Sequence, residues 1–135
     1  MQMWLKCAAA LAVAALSSGP ALAHHSGAMF DRTKTVTLVG EIKKFDYVNP
    51  HAWLDLTAAD PAGKTAEWSV EMAAPIVLKK LGLTPTNLKV GDKVTVRAHP
   101  LRDGRPGGSF IDVQLADGRV MTSVAPAPAA PATPN

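Results

Sequence analysis

The sequence predicts an all-β domain: an OB-like barrel of five to six strands, with one short helix between strands 3 and 4. Three observations support this prediction. Apolar residues alternate with polar ones in short runs across residues 35–123, as in strands that bury one face. Turns containing glycine, proline or aspartate separate the runs, and a single helical segment interrupts them. Three strands, a helix and two or three further strands follow the order of an OB barrel, with a plain antiparallel sandwich as the alternative.

The first three strands are defined by alternation and by the turns between them. Residues 46–50 form a turn because Asn-Pro interrupts a strand, and residues 60–63 carry the Asp, Pro and Gly typical of a hairpin turn. Trp53 and Glu71 fall on the outward face, where the carboxylates suggest a solvated surface. The predicted inward positions are Val36, Leu38, Gly40 and Ile42, then Ala52, Leu54 and Leu56, then Ala66, Trp68, Val70 and Met72.

The helix and the last strands follow from similar signals. Residues 75–81 are predicted to be helical because proline stands at the start of this segment and glycine follows its end. Residues 102–108 form a glycine-rich loop, and an Asp-Gly turn leads into a short last strand at 119–121. The predicted inward positions of strand 4 are Val94, Val96 and Ala98, and strand 5 is built from Ile111, Val113 and Leu115.

The two ends of the chain differ from its middle. Residues 1–23 have the pattern of a cleavable signal peptide, with a basic start, an apolar run and the small-residue site Ala-Leu-Ala. Cleavage after Ala23 predicts a periplasmic or secreted protein, removes the single cysteine and leaves His24 as the first residue. Residues 24–34 then form an N-terminal arm, and the proline- and alanine-rich residues 124–135 form a disordered tail.

Charge and motif content disfavour several classes of protein. Loss of Lys6 with the signal lowers the formal net charge from +3 to +2, which is weak evidence for a polyanionic partner, and export argues against nucleic acid. The apolar run of the signal is too short for a stable membrane span. The sequence contains no nucleophile elbow, phosphate-binding loop or carboxylate pair of obvious purpose, so we do not expect an enzyme.

All four histidines remain after cleavage, and together they suggest a metal site. An OB barrel binds ligands beside its 1–2 and 4–5 loops; His51 ends the first of these loops and His99 begins the second. An arm of 11 residues extends about 35 Å, so His24 and His25 can reach the same end of the barrel. The free amine and imidazole of His24, with a third nitrogen from one of the other histidines, suit Cu(II) first and Ni(II) or Zn(II) second.

Simpler interpretations of these residues remain open. The histidine pair at 24–25 can be a solvated chain end, His51 can cap its turn, and His99 can be an ordinary strand-end residue. The alternative function is metal-free binding of an envelope glycan, a peptide or a protein partner through stacking and hydrogen bonds. Trp53 can instead simply cover a strand edge, and the arginines of this candidate surface can be ordinary loop charges, in which case the surface binds no ligand. The candidate residues for it are Tyr47, Trp53, Arg97, Arg102 and Arg105.

The chain resembles a family of small exported bacterial proteins that is catalogued as a domain of unknown function. The most specific motifs are the His-His-Ser start at residues 24–26 and Asn-Pro-His-Ala-Trp at residues 49–53. The resemblance extends over nearly all of residues 24–121 and leaves out the tail. It implies an exported single-domain protein and brings no activity or ligand with it. The positions that match the family's pattern are His24, His25, Asn49, His51, Trp53 and His99.

Overall fold

Six strands and one short helix make up the domain in the computed structural model, which describes residues 26–60 and 62–123. A 3₁₀ turn, Ser26–Met29, precedes the first strand. The strands and the helix are β1 Val36–Asp46, β2 Trp53–Ala59, β3 Thr65–Glu71, α1 Pro75–Lys80, β4 Lys93–Pro100, β5 Gly107–Leu115 and β6 Val120–Thr122.

The sheet closes on itself. Its strand order is β3-β2-β1-β4-β5-β6, and a further parallel pairing joins β3 to β5 through Ser69–Gly107, Val70–Gly108 and Glu71–Ser109. Five strands therefore form a closed barrel, while β6 lies outside it as an extra strand on β5. This is the strand order of an OB barrel. The predicted fold class is confirmed, and the sandwich alternative is wrong.

The barrel interior is filled by the alternate residues that the sequence pattern identifies. The side chains of Leu38, Ile42, Leu54, Leu56 and Val96 are fully buried, and Trp68 packs against them while partly exposed. At about 25 cal/mol per Å² of apolar surface removed from water, each fully buried aliphatic side chain contributes about 1.5–3 kcal/mol. Close packing of one barrel interior thus stabilises the whole domain.

Strand β5 departs from its predicted pattern. It begins at Gly107, inside the predicted loop, because its first residues pair with both β3 and β4. Opposite Arg97 and Ala98 the register skips Ile111, so that residue is bulged and Phe110 and Val113 both face the interior. A bulge of this kind shifts the two-residue period of the strand by one, so Phe110 rather than Ile111 precedes Val113 in the barrel interior.

The helix α1 lies between β3 and β4 in the chain and contributes to the hydrophobic core. Pro75 occupies its first turn, Leu78 is fully buried, and Gly82 follows with a φ of 75°, which favours glycine. The Tyr47 hydroxyl donates a hydrogen bond of 2.8 Å to the carbonyl oxygen of Pro75 and so ties the β1–β2 loop to this helix. Within the part of the chain that the structure describes, helices are all too short to traverse a bilayer.

Candidate functional site

The residues that follow the predicted cleavage site pack against the β4–β5 loop. Phe30 is only 4% exposed and forms an isolated β-bridge with Leu101. The amide of Asp31 donates to the carbonyl of Pro100 at 2.8 Å, and the amide of Arg102 donates to the carbonyl of Met29 at 2.9 Å. The described part of the arm therefore lies at the end of the barrel where the two ligand-flanking loops were expected.

The turn that follows Phe30 is held by one carboxylate. Asp31 accepts hydrogen bonds from the Thr33 hydroxyl at 2.6 Å and the Thr33 amide at 3.2 Å, and the Lys34 ammonium lies 3.3 Å away. These donors stabilise the ionised form and lower the pKa of Asp31 to about 2, with the Thr33 hydroxyl as the largest cause. Asp31 is thus ionised throughout the neutral range.

A histidine and a buried glutamate form the centre of a first candidate site. The Nδ1 atom of His51 is paired with Oε1 of Glu71, whose side chain is nearly buried although it lies on the outward face of β3. Because a carboxylate accepts the hydrogen bond, Nδ1 carries the proton and Nε2 is left for another partner. Histidines that bind metals are commonly oriented by such a carboxylate.

This pair lines a cavity of about 300 Å³, which we call the histidine cavity. Phe30 and Gly27 of the arm form one side of it, and Ser109 of β5 and Ser123 lie on it as well. The position of Gly27 is informative, because His25 and His24 come only two and three residues before it. Gly27 thus places the described beginning of the arm at the cavity that contains His51.

His99 lies on the same outward row of the sheet. Glu71 pairs with Ser109 and Ser109 pairs with His99, so the Cα atoms of Glu71 and His99 are two strand spacings, or about 10 Å, apart. The ring of His99 is fixed by a contact of 2.8 Å between its Nδ1 and the carbonyl oxygen of Lys34. His99 does not line the histidine cavity.

Within residues 26–60 and 62–123, no three histidine, cysteine or acidic side chains lie close enough together to hold a metal ion. His24 and His25 lie outside the described residues. Of the predicted metal ligands, the described residues include His51, which is oriented by Glu71, and His99, which lies on β4.

A second depression of about 380 Å³ lies on the other side of Phe30, and we call it the tryptophan groove. Trp53 of β2 is 37% exposed there, and Met29 of the arm is also exposed. Arg105 and Pro106 line the groove from the β4–β5 loop. The groove is thus mainly apolar, with one aromatic face available for stacking and one guanidinium beside it.

The structure does not bring the five predicted ligand-binding residues together. Only Trp53 and Arg105 line the tryptophan groove. Tyr47 bonds to the helix, and its ring packs edge-on against Phe45 with ring centres 5.4 Å apart.

The three arginines among them all have acceptors. Arg97 is paired with Asp112, which raises the pKa of Arg97. The Arg102 side chain donates to the carbonyl of Ala28 at 3.2 Å and so clamps the arm. Arg105 is paired with Asp103 at 2.8 Å, so its guanidinium already has one partner beside the groove.

Sequence reasoning missed Glu71 and Phe30 as site residues. A usable signal existed for Glu71: a hairpin turn centred on residue 62 pairs Trp53 with Glu71, which places the carboxylate beside the loop that contains His51. Burial of Phe30 had no local signal, because its contact with Leu101 joins segments 71 residues apart.

A third depression, of about 410 Å³, lies away from both sites, around Glu41. The Glu41 carboxylate is paired with Lys43 at 2.7 Å and with Lys93, and these ammonium groups lower its pKa to about 2. The Glu41 carboxylate is thus already engaged by two cations, and we assign no ligand to this surface.

A mitochondrial single-stranded DNA-binding protein of S. cerevisiae, Rim1, is similar in structure, with 16% identity, a TM-score of 0.45, and coverage of 64% of this chain and 97% of that chain. No protein with a curated description matches the chain in sequence. The model of DUF6152, a family of unknown function, matches residues 11–110. The chain therefore belongs to the DUF6152 family.

Proposed function

We propose that this protein is an exported binding protein that holds Cu(II) at the histidine cavity. The observation that carries the proposal is the pairing of His51 Nδ1 with the buried Glu71 carboxylate, in a cavity that Gly27 also lines. This pairing leaves His51 Nε2 as a nitrogen ligand of defined orientation. The other two ligands come from His24, three positions before Gly27.

Chain length allows His24 to reach the cavity. His24 lies three positions before Gly27, and an extended chain covers about 10 Å over three positions. Removal of residues 1–23 leaves His24 with a free amine beside its own imidazole, and these two nitrogens chelate one ion. With His51 Nε2 they form an all-nitrogen set of three, which suits Cu(II) better than Ni(II) or Zn(II).

The chemistry of this set favours capture or delivery of the metal. Glu71 orients the His51 imidazole through its nearly buried carboxylate. Phe30, itself buried, forms one side of the cavity. We assign no catalytic step to these residues.

The test is a Cu(II) titration of the chain that begins at His24, followed by EPR to count the coordinated nitrogens. We expect one tight site, and a single added residue before His24 is expected to weaken it sharply because the amine is then lost. If the extended chain binds with equal affinity and the same spectrum, the proposal is wrong.

Two matched histidine variants identify the third ligand. His51→Ala removes a nitrogen that lines the cavity, and we expect it to lower affinity and change the EPR spectrum. His99→Ala removes a ring that bonds to Lys34 outside the cavity, so we expect a smaller effect. If His99→Ala has the larger effect, the third nitrogen comes from His99 and the assignment of His51 is wrong.

A second candidate function, metal-free binding of an envelope glycan, peptide or protein partner, is favoured by the tryptophan groove. Trp53 presents a partly exposed indole beside the Arg105 guanidinium, a combination that stacks on a ring and contacts a polar group. A ligand of this kind changes Trp53 fluorescence without added metal, and Trp53→Ala removes the response. If metal-depleted protein gives no response to such ligands, this second function is excluded for them.

A further inference from the structure

We infer that the tryptophan groove is a docking site for a polyproline II segment, and that its occupant is the chain's own proline-rich tail, residues 124–135. Mainly apolar grooves with an exposed aromatic ring are the surfaces on which proline-rich segments dock. Here Trp53 supplies the ring, while Met29, Leu101 and Pro106 supply apolar walls. The inference is independent of copper binding.

The spacing of the tail prolines fits such a groove. Pro128, Pro131 and Pro134 are three residues apart, and a polyproline II helix has three residues per turn. These three prolines therefore share one face in that conformation. Pro126 is two residues from Pro128 and falls on a different face, which makes it a natural control.

The tail starts close to the groove. Ser123, the last described residue, lines the histidine cavity together with Phe30, and Phe30 also lines the tryptophan groove. Twelve residues of polyproline II extend about 37 Å, several times the thickness of one aromatic ring. The tail is thus long enough to pass Phe30 and lie on Trp53 of the same molecule.

The composition of the tail also matches the groove. Residues 124–135 contain no charged side chain, so docking on an apolar surface leaves no ion unpaired. Arg105, the one charged side chain on the groove, is already paired with Asp103. A docked tail covers the indole of Trp53 and competes with any other ligand for the groove.

The test uses the chain from His24 to Asn135, which contains two tryptophans, in ¹⁵N NMR spectra of the indole N–H groups. Changing Pro128, Pro131 and Pro134 together to Ala is expected to shift the Trp53 signal. Trp68 packs against the barrel core, so its unchanged signal reports an intact fold. Pro126→Ala is expected to leave the Trp53 signal in place.

A synthetic peptide of residues 124–135, added to the triple-proline variant, is expected to move the Trp53 signal back toward its position in the unchanged chain. An identical Trp53 signal in the unchanged chain and the triple variant overturns the inference. A Trp53 signal that depends on protein concentration overturns docking within one molecule, because the tail then comes from a second copy.

Discussion

At the scale of single residues, burial of one carboxylate decides which atom of His51 faces the cavity. Alternation along β3 places Glu71 outward, and the structure keeps it on that face, yet it is 8% exposed because His51 and the arm cover it. The sequence-based interpretation of this carboxylate as part of a solvated face is therefore wrong. A buried carboxylate needs a partner, and His51 Nδ1 provides it.

Glu71→Ala tests this orientation directly. It leaves His51 Nδ1 without its acceptor, and loss of such a supporting group costs about 10- to 100-fold in metal affinity, which a Cu(II) competition titration measures. In metal-free protein, ¹⁵N NMR of the His51 ring is expected to show loss of the Nδ1–H form.

The control for that variant is Glu67→Ala. Glu67 lies on the same face of β3 but is exposed, and it accepts a hydrogen bond of 2.5 Å from the Thr57 hydroxyl. We expect Glu67→Ala to leave both the affinity and the His51 ring form unchanged. Equal behaviour of the two variants contradicts a positioning role for Glu71.

At the scale of elements, the arm between residues 26 and 34 creates both candidate sites. Phe30 separates the histidine cavity from the tryptophan groove. Gly27 lines the histidine cavity, and Met29 lines the tryptophan groove. No local signal predicts where this segment lies, since its backbone pairs with residues 100–102 far along the chain. Its sequence does contain the turn that ends it, because Asp31 and Thr33 bond to each other.

The docked arm is expected to depend on acid pH through Asp31. An aspartate in an unfolded chain titrates near about 3.9, whereas the folded pKa is about 2. Because the pKa of Asp31 is lower in the folded protein, its ionised carboxylate stabilises the docked arm above about pH 4. This stabilisation is lost as the pH falls toward about 2 and the carboxylate is protonated. The Asp31 amide, which bonds to Pro100, reports the transition by NMR.

Two variants check that assignment. Thr33→Val removes the hydroxyl that lowers the pKa most, so the midpoint is expected to move up toward the value of a free aspartate. Asp31→Asn is expected to abolish the acid transition of the arm. A wild-type midpoint that already lies at the free aspartate value contradicts this account.

At the scale of the whole molecule, the barrel closes where β5 meets β3 and β4 at once. Gly108 pairs with Val70 on one side and with Pro100 on the other. A Cβ atom added at Gly108 would lie 2.7 Å from the carbonyl oxygen of His99 and 3.0 Å from Cβ of Ala98. Closure of the barrel therefore requires glycine at this position, for reasons of space.

Neighbouring glycines offer a matched test of closure. The methyl group of Gly108→Ala would push the backbone of β5 away from that of β4. Overpacking of this kind costs about 1–3 kcal/mol of unfolding free energy. At Gly107 the nearest contact of an added Cβ is Leu101 Cδ1, at 2.8 Å, and the end of that flexible side chain can rotate away. Urea unfolding is expected to show a larger loss for Gly108→Ala, and an equal or smaller loss contradicts this explanation.

The sequence by itself determined the order of the strands and the helix, the OB class and most of the core, because alternation and turn chemistry are local properties. It also predicted His51 and Trp53 as site residues, and the structure shows that His51 lines the histidine cavity and Trp53 lines the tryptophan groove. Only the tertiary structure decided the bulge at Ile111, the burial of Glu71 and the position of Phe30 between two cavities. Each of these depends on which distant segment packs against the residue, and a one-dimensional pattern does not contain that contact.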